Sequence, residues 1–286
     1  MIICRYGAVD SWQRSSTGDR GPRLQRESLG FDPRTPSVAR IYDYCLGGKD
    51  HFPADRAAAE RILEVAPELR AAVRANRAFL GRAVRFLAER GIDQFLDIGT
   101  GLPARGHVHE LAPSARVVYV DRDPVVLVHA RALLAGQGAT TVVRGDLREP
   151  DTIVKDPEVL RALDLDRPVG VLLTAVLHHV ADADGPEEIV ATLREALAPG
   201  SHLVLSHATG DAGAAFAERA TEVYCGADAP LTLRGRDRIA GLFEGFELVD
   251  PGLVWLPEWR PEQADLIDFV DGPQKSLILC GVGRKG

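Results

Sequence analysis

Cysteine is scarce in this sequence: the four residues Cys4, Cys45, Cys225 and Cys280 lie far apart, and no two of them form a CxxC pair. Isolated thiols of this kind are typical of a reducing compartment, and they exclude a disulfide framework or a zinc site built from paired cysteines. Long apolar segments are also lacking, because no run approaches the roughly 20 residues of a membrane-spanning helix and the N-terminus has no extended apolar core of a secretory signal. We therefore expect a cytoplasmic protein with no membrane partner.

An excess of basic residues is absent as well. The chain has 34 Lys and Arg against 41 Asp and Glu, which gives a formal net charge of −7. This balance lacks the electrostatic footprint of a nucleic-acid-binding protein. We predict a small-molecule partner and no nucleic acid, and the oligomeric state stays open between monomer and homodimer.

The first 92 residues divide into two parts. Residues 1–35 are rich in Arg, Ser, Gly and Asp without sustained periodicity, which predicts a disordered tail. Residues 36–92 keep helical spacing of apolar side chains and predict a helical N-terminal extension. Within this extension, Gly47 and Gly48 are expected to end a first short helix, and Pro67 to divide the remainder into two helices.

Residues 93–286 alternate apolar runs with helical segments. The runs are hydrophobic at successive positions, as expected for parallel strands that helices cover on both faces. Two C-terminal segments, FELVDPGLVWL and SLILCGVG, have no long helix between them and predict an antiparallel pair that finishes the sheet. The predicted fold class is α/β, a doubly wound, Rossmann-like sheet.

The first strand leaves through an unusual loop, QFLDIGTGLPARGHVHE. Gly99 and Gly101 permit positive φ angles and allow a ligand to touch the main chain. Pro103 fits the first position of a helix, which we expect over residues 104–112 and which would offer free N–H groups to an anion. In an open α/β sheet, ligands bind at the carboxyl ends of the strands, so this loop is the favoured site.

Acidic residues follow each of the first three predicted strands. Asp97 lies inside the glycine loop, and Asp121 lies 20 positions beyond Gly101, the interval at which an acid receives a ribose diol. Asp146 ends the third strand, where a carboxylate could accept a hydrogen bond from an adenine amino group. Asp123 precedes a proline and is either a second ribose ligand, less favoured than Asp121, or a helix cap.

Two nucleoside cofactors compete for such a loop. A nicotinamide dinucleotide favours GxGxxG, and the chain has alanine at the third glycine position, which that motif tolerates. The carboxylates of Asp97 and Asp146 decide the matter, because an acid inside the loop repels a pyrophosphate but helps to place an ammonium and a sulfonium. The residues therefore favour S-adenosylmethionine over the dinucleotide.

The segments FLDIGTGLP, VYVDRDPVV and VVRGDLREP resemble the first three motifs of class I S-adenosylmethionine-dependent methyltransferases. More narrowly, ARIYDYCLGGKDHFPADR together with DIGTGLPARGHVHE is similar to an actinobacterial S-adenosyl methyltransferase family once catalogued as a domain of unknown function. The resemblance runs from about residue 36 to the C-terminus. It implies a seven-stranded sheet with a reversed last strand.

The same resemblance implies roles for individual residues. Asp97, Gly99 and Gly101 would line the methionine portion of the cofactor. Asp121 would hold the ribose, and Asp146 with Leu147 would border the adenine. The remaining residues of the predicted cofactor site are Tyr44, Gly48, Lys49, Arg77, Thr100, Arg122 and Thr174.

The block YDYCLGGKD has two interpretations. Its aromatic and charged groups around two glycines favour a lid over the cofactor, with Tyr44 or Lys49 facing the ligand. The alternative is a capped helix end followed by a solvated charge pair. Arg77, on the long predicted helix, could reach the cofactor carboxylate or could be a surface arginine.

Histidines after the fourth and fifth predicted strands are the candidate catalytic residues. His178 and His179 could take a proton from an acceptor, with Asp182 to orient the ring, or could line the pocket or pack beneath the next helix. His207 lies at the end of the fifth strand, a position similar to that of His178 and His179 after the fourth, and is a third candidate. No metal site is expected, because His107 and His109 are two apart on a predicted helix and should point to different faces. Trp255 and Trp259 are expected in the core or at the rim, with acceptor contact as the alternative.

The leading functional hypothesis is an S-adenosylmethionine-dependent methyltransferase that acts on an oxygen or nitrogen of a small molecule. A second hypothesis is a catalytically silent regulatory protein that binds the same cofactor. The third, an NAD(P)-dependent oxidoreductase, is disfavoured by the acids described above.

Overall fold

The computed structural model of the protein describes residues 31–104, 106–134, 137, 139–262, 269 and 271–286. Most of the predicted disordered tail, residues 1–35, lies outside the described residues. Its last residues lie within them and make contacts: the Phe31 ring stacks on Phe52 at 5.7 Å, and the Thr35 carbonyl accepts a hydrogen bond from Arg40. Phe31 and Thr35 therefore contact α1 and the residue before α2, whereas residues 32–35 are exposed. Among the described residues, no helix is long and apolar enough to cross a membrane.

Within the described residues, three α-helices precede the sheet: α1 (Val38–Leu46), α2 (Pro53–Leu63) and α3 (Leu69–Ala88). The residue after α1, Gly47, has a φ of 82°, the left-handed conformation that ends a helix and favours glycine. Pro67 lies between α2 and α3, as predicted, because its ring and missing N–H interrupt helical hydrogen bonding.

The sheet has eight strands, and their order reverses next to the first strand. The strands are β1 (Gln94–Ile98), β2 (Arg116–Asp121), β3 (Thr140–Arg144), β4 (Gly170–Thr174), β5 (His202–Ala208), β6 (Phe246–Leu248), β7 (Val254–Trp255) and β8 (Ile278–Lys285). The order is β3-β2-β1-β4-β5-β8-β6, and β7 pairs with β8 off this path. Pairs among β1 to β5 are parallel, whereas β8 is antiparallel to β5 and β6. This confirms the doubly wound fold with a reversed last strand, and the two-residue β7 adds to the seven strands expected.

In the described part of the chain, seven further α-helices connect or cover the strands. They are α4 (Val108–Leu111), α5 (Pro124–Leu134), α6 (Pro150–Val154), α7 (Pro157–Ala162), α8 (Pro186–Glu195), α9 (Ala214–Tyr224) and α10 (Arg236–Gly241). The prediction of a helix over residues 104–112 is wrong about where the helix begins, because α4 begins at Val108. Gly106 has a φ of 80°, which no α-helix accepts, so the helix begins after it. Glu110 then accepts hydrogen bonds from the backbone N–H groups of Gly106 and His107 and caps the shorter helix.

Side chains of the strands alternate between two apolar layers. Phe95 and Leu172 pack in the layer that contains Phe79 and Leu87 of α3, whereas neighbouring strand residues such as Leu96 pack in the opposite layer. Both faces are therefore buried, which explains the uninterrupted apolar runs of the sequence. Helix α3 belongs to this core, so the N-terminal helices are joined to the sheet through the apolar layer on which α3 packs.

Trp259 belongs to this core and not to a ligand surface. It is fully buried, and its ring meets Phe79 and Phe86 edge-on at 5.3 and 5.5 Å. Its carbonyl accepts a hydrogen bond from the buried Arg82 at 2.8 Å. Of the two positions expected for this residue, core and rim, the structure shows the core.

Candidate functional site

A cavity of about 180 Å³ lies at the carboxyl ends of the parallel strands. This is more than ten times the roughly 15 Å³ that one water needs, so the space suits an organic ligand. Its floor is formed by the exits of β1 to β4, and α1, α3 and α9 contribute to its walls. The chain passes from β1 to β2 and β3 on one side and to β4 on the other, so the cavity occupies the point where strand order reverses.

Glycine is required at two positions of the loop after β1, for a different physical reason at each. Gly99 has a φ of 74°, and a Cβ built there would lie 2.4 Å from Val176 Cγ2, so packing requires glycine. Gly101 has a φ of 67°, and a Cβ there would meet nothing within 4 Å. The main chain at Gly101 therefore faces open space in the cavity, as expected where a ligand lies against the backbone.

Asp97 is buried at the end of β1 and lines the cavity. Thr100 Oγ1 donates a hydrogen bond to its Oδ2 at 2.9 Å. Burial raises the pKa of Asp97 to about 6, although the Thr100 hydrogen bond and the Arg77 guanidinium oppose the rise. Arg77 reaches from α3 and donates to the Gly106 carbonyl at 3.1 Å. The acidic Asp97 of β1 and the basic Arg77 of α3 thus both lie next to the glycine loop.

Asp121 ends β2 and holds the loop in place. Its Oδ2 accepts from the Gly101 N–H and its Oδ1 from the Asp123 N–H, both at 2.9 Å. Each carboxylate oxygen has a second lone pair, so both oxygens can also accept from two adjacent hydroxyls of a ligand. Burial raises the pKa of Asp121 to about 6, against the effect of these backbone hydrogen bonds.

Asp123 is a helix cap, which is one of its two predicted roles. Its Oδ1 accepts from the Val125 N–H at 2.8 Å at the start of α5. Its Oδ2 accepts from the Ser37 hydroxyl at 2.8 Å, and Arg40 lies 3.5 Å away. The exit of β2 is therefore tied to the N-terminal helices through a buried polar cluster.

Asp146 and its neighbours line the cavity beyond β3. The Asp146 carboxylate accepts from the backbone N–H and Nε of Arg148, both at 3.0 Å, and this guanidinium lowers the pKa of Asp146. Arg122 lies 3.9 Å from Asp146 and donates to the Asp228 carbonyl. Leu147 is buried beside them, and Thr174 lines the cavity from the end of β4.

Three predicted cofactor contacts are not brought to this cavity. The Tyr44 hydroxyl donates to Glu60, and Lys49 is exposed. Gly48 packs on Asp43, because a Cβ there would overlap that carboxylate. None of the three is among the residues that line the cavity. The structure corrects this part of the lid interpretation.

The block YDYCLGGKD is instead a capped helix end. Asp43 accepts from the Asp50 N–H at 3.0 Å and lies 3.1 Å from His51 Nδ1, so it fixes the loop after α1. The block still contributes Tyr42 and Cys45 to the cavity wall. These two residues lie one turn apart on the helix, which the sequence interpretation did not use.

The paired histidines after β4 are both neutral at pH 7. His178 Nδ1 accepts from the Ala208 N–H at 3.1 Å, so its proton is on Nε2, and burial keeps its pKa well below the ordinary value. His179 Nδ1 donates to the Pro230 carbonyl at 2.9 Å, so Nε2 carries the lone pair. Burial lowers the pKa of His179 to about 4. Both rings line the cavity, and His179 alone is in the tautomer whose Nε2 can accept a proton.

The expectations for His207 and Asp182 are corrected. His207 is fully buried and is not among the cavity-lining residues; its Nδ1 donates to the Ala208 carbonyl and its Nε2 accepts from Arg234. Asp182 accepts from Arg234 at 2.8 Å and does not orient His179. The cause is the buried guanidinium of Arg234, which takes both groups as partners to offset its own desolvation.

A buried chain of hydrogen bonds, missed by the sequence interpretation, supports the cavity floor. The Ala175 N–H donates to Ser206 Oγ at 2.9 Å, and Ser206 donates to Asn76 Oδ1 at 2.6 Å. Asn76 donates to the Tyr42 hydroxyl, which donates to the Val73 carbonyl. Ala175 has a φ of 54°, unusual for alanine, so this chain stabilises a strained exit of β4. We call it the Tyr42–Ser206 relay.

Removing one member of the Tyr42–Ser206 relay should lower stability. We expect Ser206→Ala to reduce the free energy of unfolding by about 1–3 kcal/mol, because Asn76 Oδ1 would lose a buried donor. Urea denaturation measures this change. The control is Ser114→Ala, at an exposed position, which should change stability by less than about 0.5 kcal/mol. Equal stability of the two variants would contradict the assignment.

Among the described residues, no group of three or more His, Cys, Asp and Glu side chains could hold a metal ion. The two histidines considered for a metal site lie side by side, contrary to the expectation that they point apart. His107 precedes α4, and its ring stacks on that of His109 at 5.3 Å. The late start of α4 explains the difference, because His107 has extended backbone.

The pKa values of the two buried acids predict a pH dependence for ligand binding. A carboxylate accepts hydrogen bonds more strongly when ionised, and Asp97 and Asp121 protonate as the pH falls through about 6. We therefore expect the affinity for a nucleoside with a ribose diol to be constant above about pH 7 and to fall below pH 6. Calorimetric titrations at several pH values measure this. An affinity that rises on acidification would contradict the roles of these acids.

The chain is similar to known proteins over most of its length. A family model described as S-adenosyl methyltransferase matches residues 25–286. A DUF574 family protein from Streptomyces avermitilis shares 40% identity with the chain at a TM-score of 0.85, and covers 89% of this chain and 99% of its own. A protein from Thermobifida fusca, described provisionally as a methyltransferase, shares 39% identity at a TM-score of 0.82 and covers 92% and 99%. The search of curated proteins found no match. The chain belongs to the S-adenosyl methyltransferase family, whose cofactor is S-adenosylmethionine.

Proposed function

We propose that the protein transfers the methyl group of S-adenosylmethionine to an oxygen or nitrogen of a small-molecule acceptor. One observation carries this proposal: the open backbone at Gly101 and the acids at the tips of β1 and β2 face a cavity that continues beneath α1, α3 and α9. The helices line the cavity with apolar side chains, away from the acids at the strand ends. We propose that this part of the cavity holds the second reactant.

The residues present fit the cofactor. Asp121 has lone pairs for both ribose hydroxyls, and a Cβ at Gly101 would fill space that the ligand needs. We propose that Asp97 lies near the ammonium and Arg77 near the carboxylate of the methionine portion, because the two side chains carry opposite charges. The predicted adenine contacts, Asp146 and Leu147, lie along the same cavity.

The bound cofactor supplies an electrophilic methyl group on its sulfonium. The protein aligns the acceptor and excludes water, and several of the contributing side chains are fully buried. We propose that His179 Nε2 accepts the acceptor proton, since Nδ1 is held by the Pro230 carbonyl. His178, whose Nδ1 is occupied by the Ala208 N–H, supports the floor of the site.

Transfer of a labelled methyl group tests the proposed activity. The protein is incubated with methyl-labelled S-adenosylmethionine and the low-molecular-weight fraction of a bacterial extract, and label is followed into small molecules. We expect label in a product that a Gly101→Val variant does not form. If the cofactor binds and no label moves, the silent regulatory protein of the second hypothesis is the better account.

We also propose that the protein works in the cytoplasm. Cys45 and Cys280 are buried thiols outside any disulfide, as expected in a reducing compartment. We retain the proposals that residues 36–92 cover the site of the 93–286 domain, that the partner is a small molecule and not a nucleic acid, and that the protein is a monomer or a homodimer.

A further inference from the structure

The part of the cavity beyond the cofactor residues has an apolar wall. Side chains from α1, α2, α3, α9 and β8 form it, and we call it the apolar chamber: Ile41, Ile62, Val73, Phe216, Ala220 and Ile278. These six side chains belong to four helices and one strand, so the chamber is built by the tertiary fold and not by one amphipathic helix. The first two helices contribute Ile41 and Ile62, so the N-terminal extension forms part of the apolar chamber.

Most charged side chains on the cavity wall come from the strand ends and not from the helices. Seven of them lie at the ends of β1 or β2 or in the segments after β2, β3 and α9: Asp97, Asp121, Arg122, Asp123, Asp146, Arg148 and Asp228. The eighth, Arg77, is on α3 and donates to the Gly106 carbonyl near the glycine loop. Among the described lining residues that α1, α2, α9 and β8 contribute, none is charged.

We propose that the methyl acceptor is an uncharged and largely apolar molecule with one hydroxyl or amine, and that the apolar chamber binds its hydrocarbon part. The inference rests on the proposed function and specifies its acceptor. A charged group in the chamber would lose its hydration without a counter-charge, which is costly. An apolar group of the same size would gain from removal of its surface from water.

The uncharged polar side chains that α1 and α3 contribute to the cavity wall are Tyr42, Cys45 and Asn76. Each is already hydrogen-bonded or is neutral at pH 7. The Tyr42 hydroxyl and Asn76 bind each other at 3.0 Å within the Tyr42–Ser206 relay. Burial raises the pKa of the Cys45 thiol to about 11, so it carries no charge at pH 7. His179 packs beside the Tyr224 ring at 5.2 Å, where the chamber meets the cofactor residues. The single polar group of the acceptor therefore belongs at this junction.

Two matched pairs of compounds test the inference on the full chain loaded with S-adenosylhomocysteine at pH 7.5. The first pair is methyl 6-hydroxy-2-naphthoate and its free acid, and the second is geraniol and geranate. The naphthoate pair keeps the hydroxyl and differs in ester against carboxylate, whereas in the second pair the carboxylate replaces the hydroxyl on the same hydrocarbon chain. We expect calorimetry to show that at least one neutral compound binds, and that it binds at least tenfold more tightly than its anion.

A variant places the binding in the chamber. Ala220→Phe should reduce the affinity for the neutral compound at least tenfold and leave that for S-adenosylhomocysteine within about twofold, because Ala220 is buried on the chamber wall. Ala214→Phe, at an exposed position of the same helix, is the matched control and should change neither affinity.

The outcomes separate the two proposals. If the wild-type protein fails to bind S-adenosylhomocysteine, the proposed function falls. If it binds S-adenosylhomocysteine but binds both anions as tightly as their neutral partners, or binds none of the four compounds, the inference on the acceptor falls alone. If the Ala220→Phe variant keeps its affinity for the neutral compound as well as for S-adenosylhomocysteine, the compound does not bind in the apolar chamber and the inference is overturned.

Discussion

Replacing Gly101 with valine is expected to reduce the affinity for S-adenosylmethionine more than about a hundredfold, or roughly 3 kcal/mol. The glycine has a φ of 67°, and a Cβ there would project into open cavity space. A β-branched residue is strained in this conformation by about 1–3 kcal/mol, and its methyl groups would occupy the space of the ligand. Isothermal titration calorimetry with the cofactor measures the loss directly.

Gly91→Val is the matched control for this experiment. Gly91 follows α3, has a φ of 83°, and a Cβ there would also meet nothing within 4 Å. It is not among the cavity-lining residues. Both variants should therefore lose similar stability, and only the Gly101 variant should lose binding. If the Gly101 variant binds the cofactor normally, the loop after β1 is a turn with no ligand against it.

Asp121→Ala should weaken cofactor binding by about 1.5–3 kcal/mol, which corresponds to roughly ten- to hundredfold. The carboxylate is expected to accept from both ribose hydroxyls, and it already holds the N–H groups of Gly101 and Asp123. The substitution thus removes a charged acceptor and also loosens the glycine loop. Calorimetric titration with S-adenosylhomocysteine gives the change.

Two further variants separate these effects. Asp121→Asn keeps the shape and one acceptor oxygen, so it should hold the loop better and lose less affinity than alanine. Asp93→Ala removes an exposed acid that pairs with Arg167 away from the cavity, and it should leave the affinity unchanged. Unchanged affinity in both Asp121 variants would remove this residue from the site.

Local patterns in the sequence were sufficient to predict most of the fold. Buried parallel strands such as QFLDI and RVVYVD are apolar at successive positions because both faces of the sheet are covered, and that signal needs no knowledge of distant residues. The glycine loop and the acids at strand ends are equally local, since each follows directly from a strand. Topology then brought them to one cavity.

Residues whose roles depend on distant partners could not be predicted. The position of His207 after the fifth strand predicts a catalytic role, but Arg234, 27 residues later in the sequence, donates to its Nε2. The predicted start of α4 is wrong because Gly106 has a positive φ, which the local sequence ARGH does not predict. Both errors come from treating a residue by its position after a strand without its tertiary contacts.

The buried position of Asn76 was not predicted, although the sequence contains a pattern that indicates it. Asn76 lies on α3 between Val73 and Leu80, within the apolar stripe of the helix, and it is buried. A polar residue on an apolar stripe needs a partner, and the Tyr42–Ser206 relay provides it. The identity of the partners was not predictable, because Tyr42 and Ser206 lie 34 and 130 residues away in the sequence.

A crystal structure of the full chain with S-adenosylhomocysteine tests the central claim most directly. The account predicts density for the nucleoside across the carboxyl ends of β1, β2 and β3, with the ribose hydroxyls on Asp121 and the main chain of Gly101 against the ligand. A crevice filled by the protein's own side chains, with Asp97 and Asp121 turned away from the ligand, would contradict it.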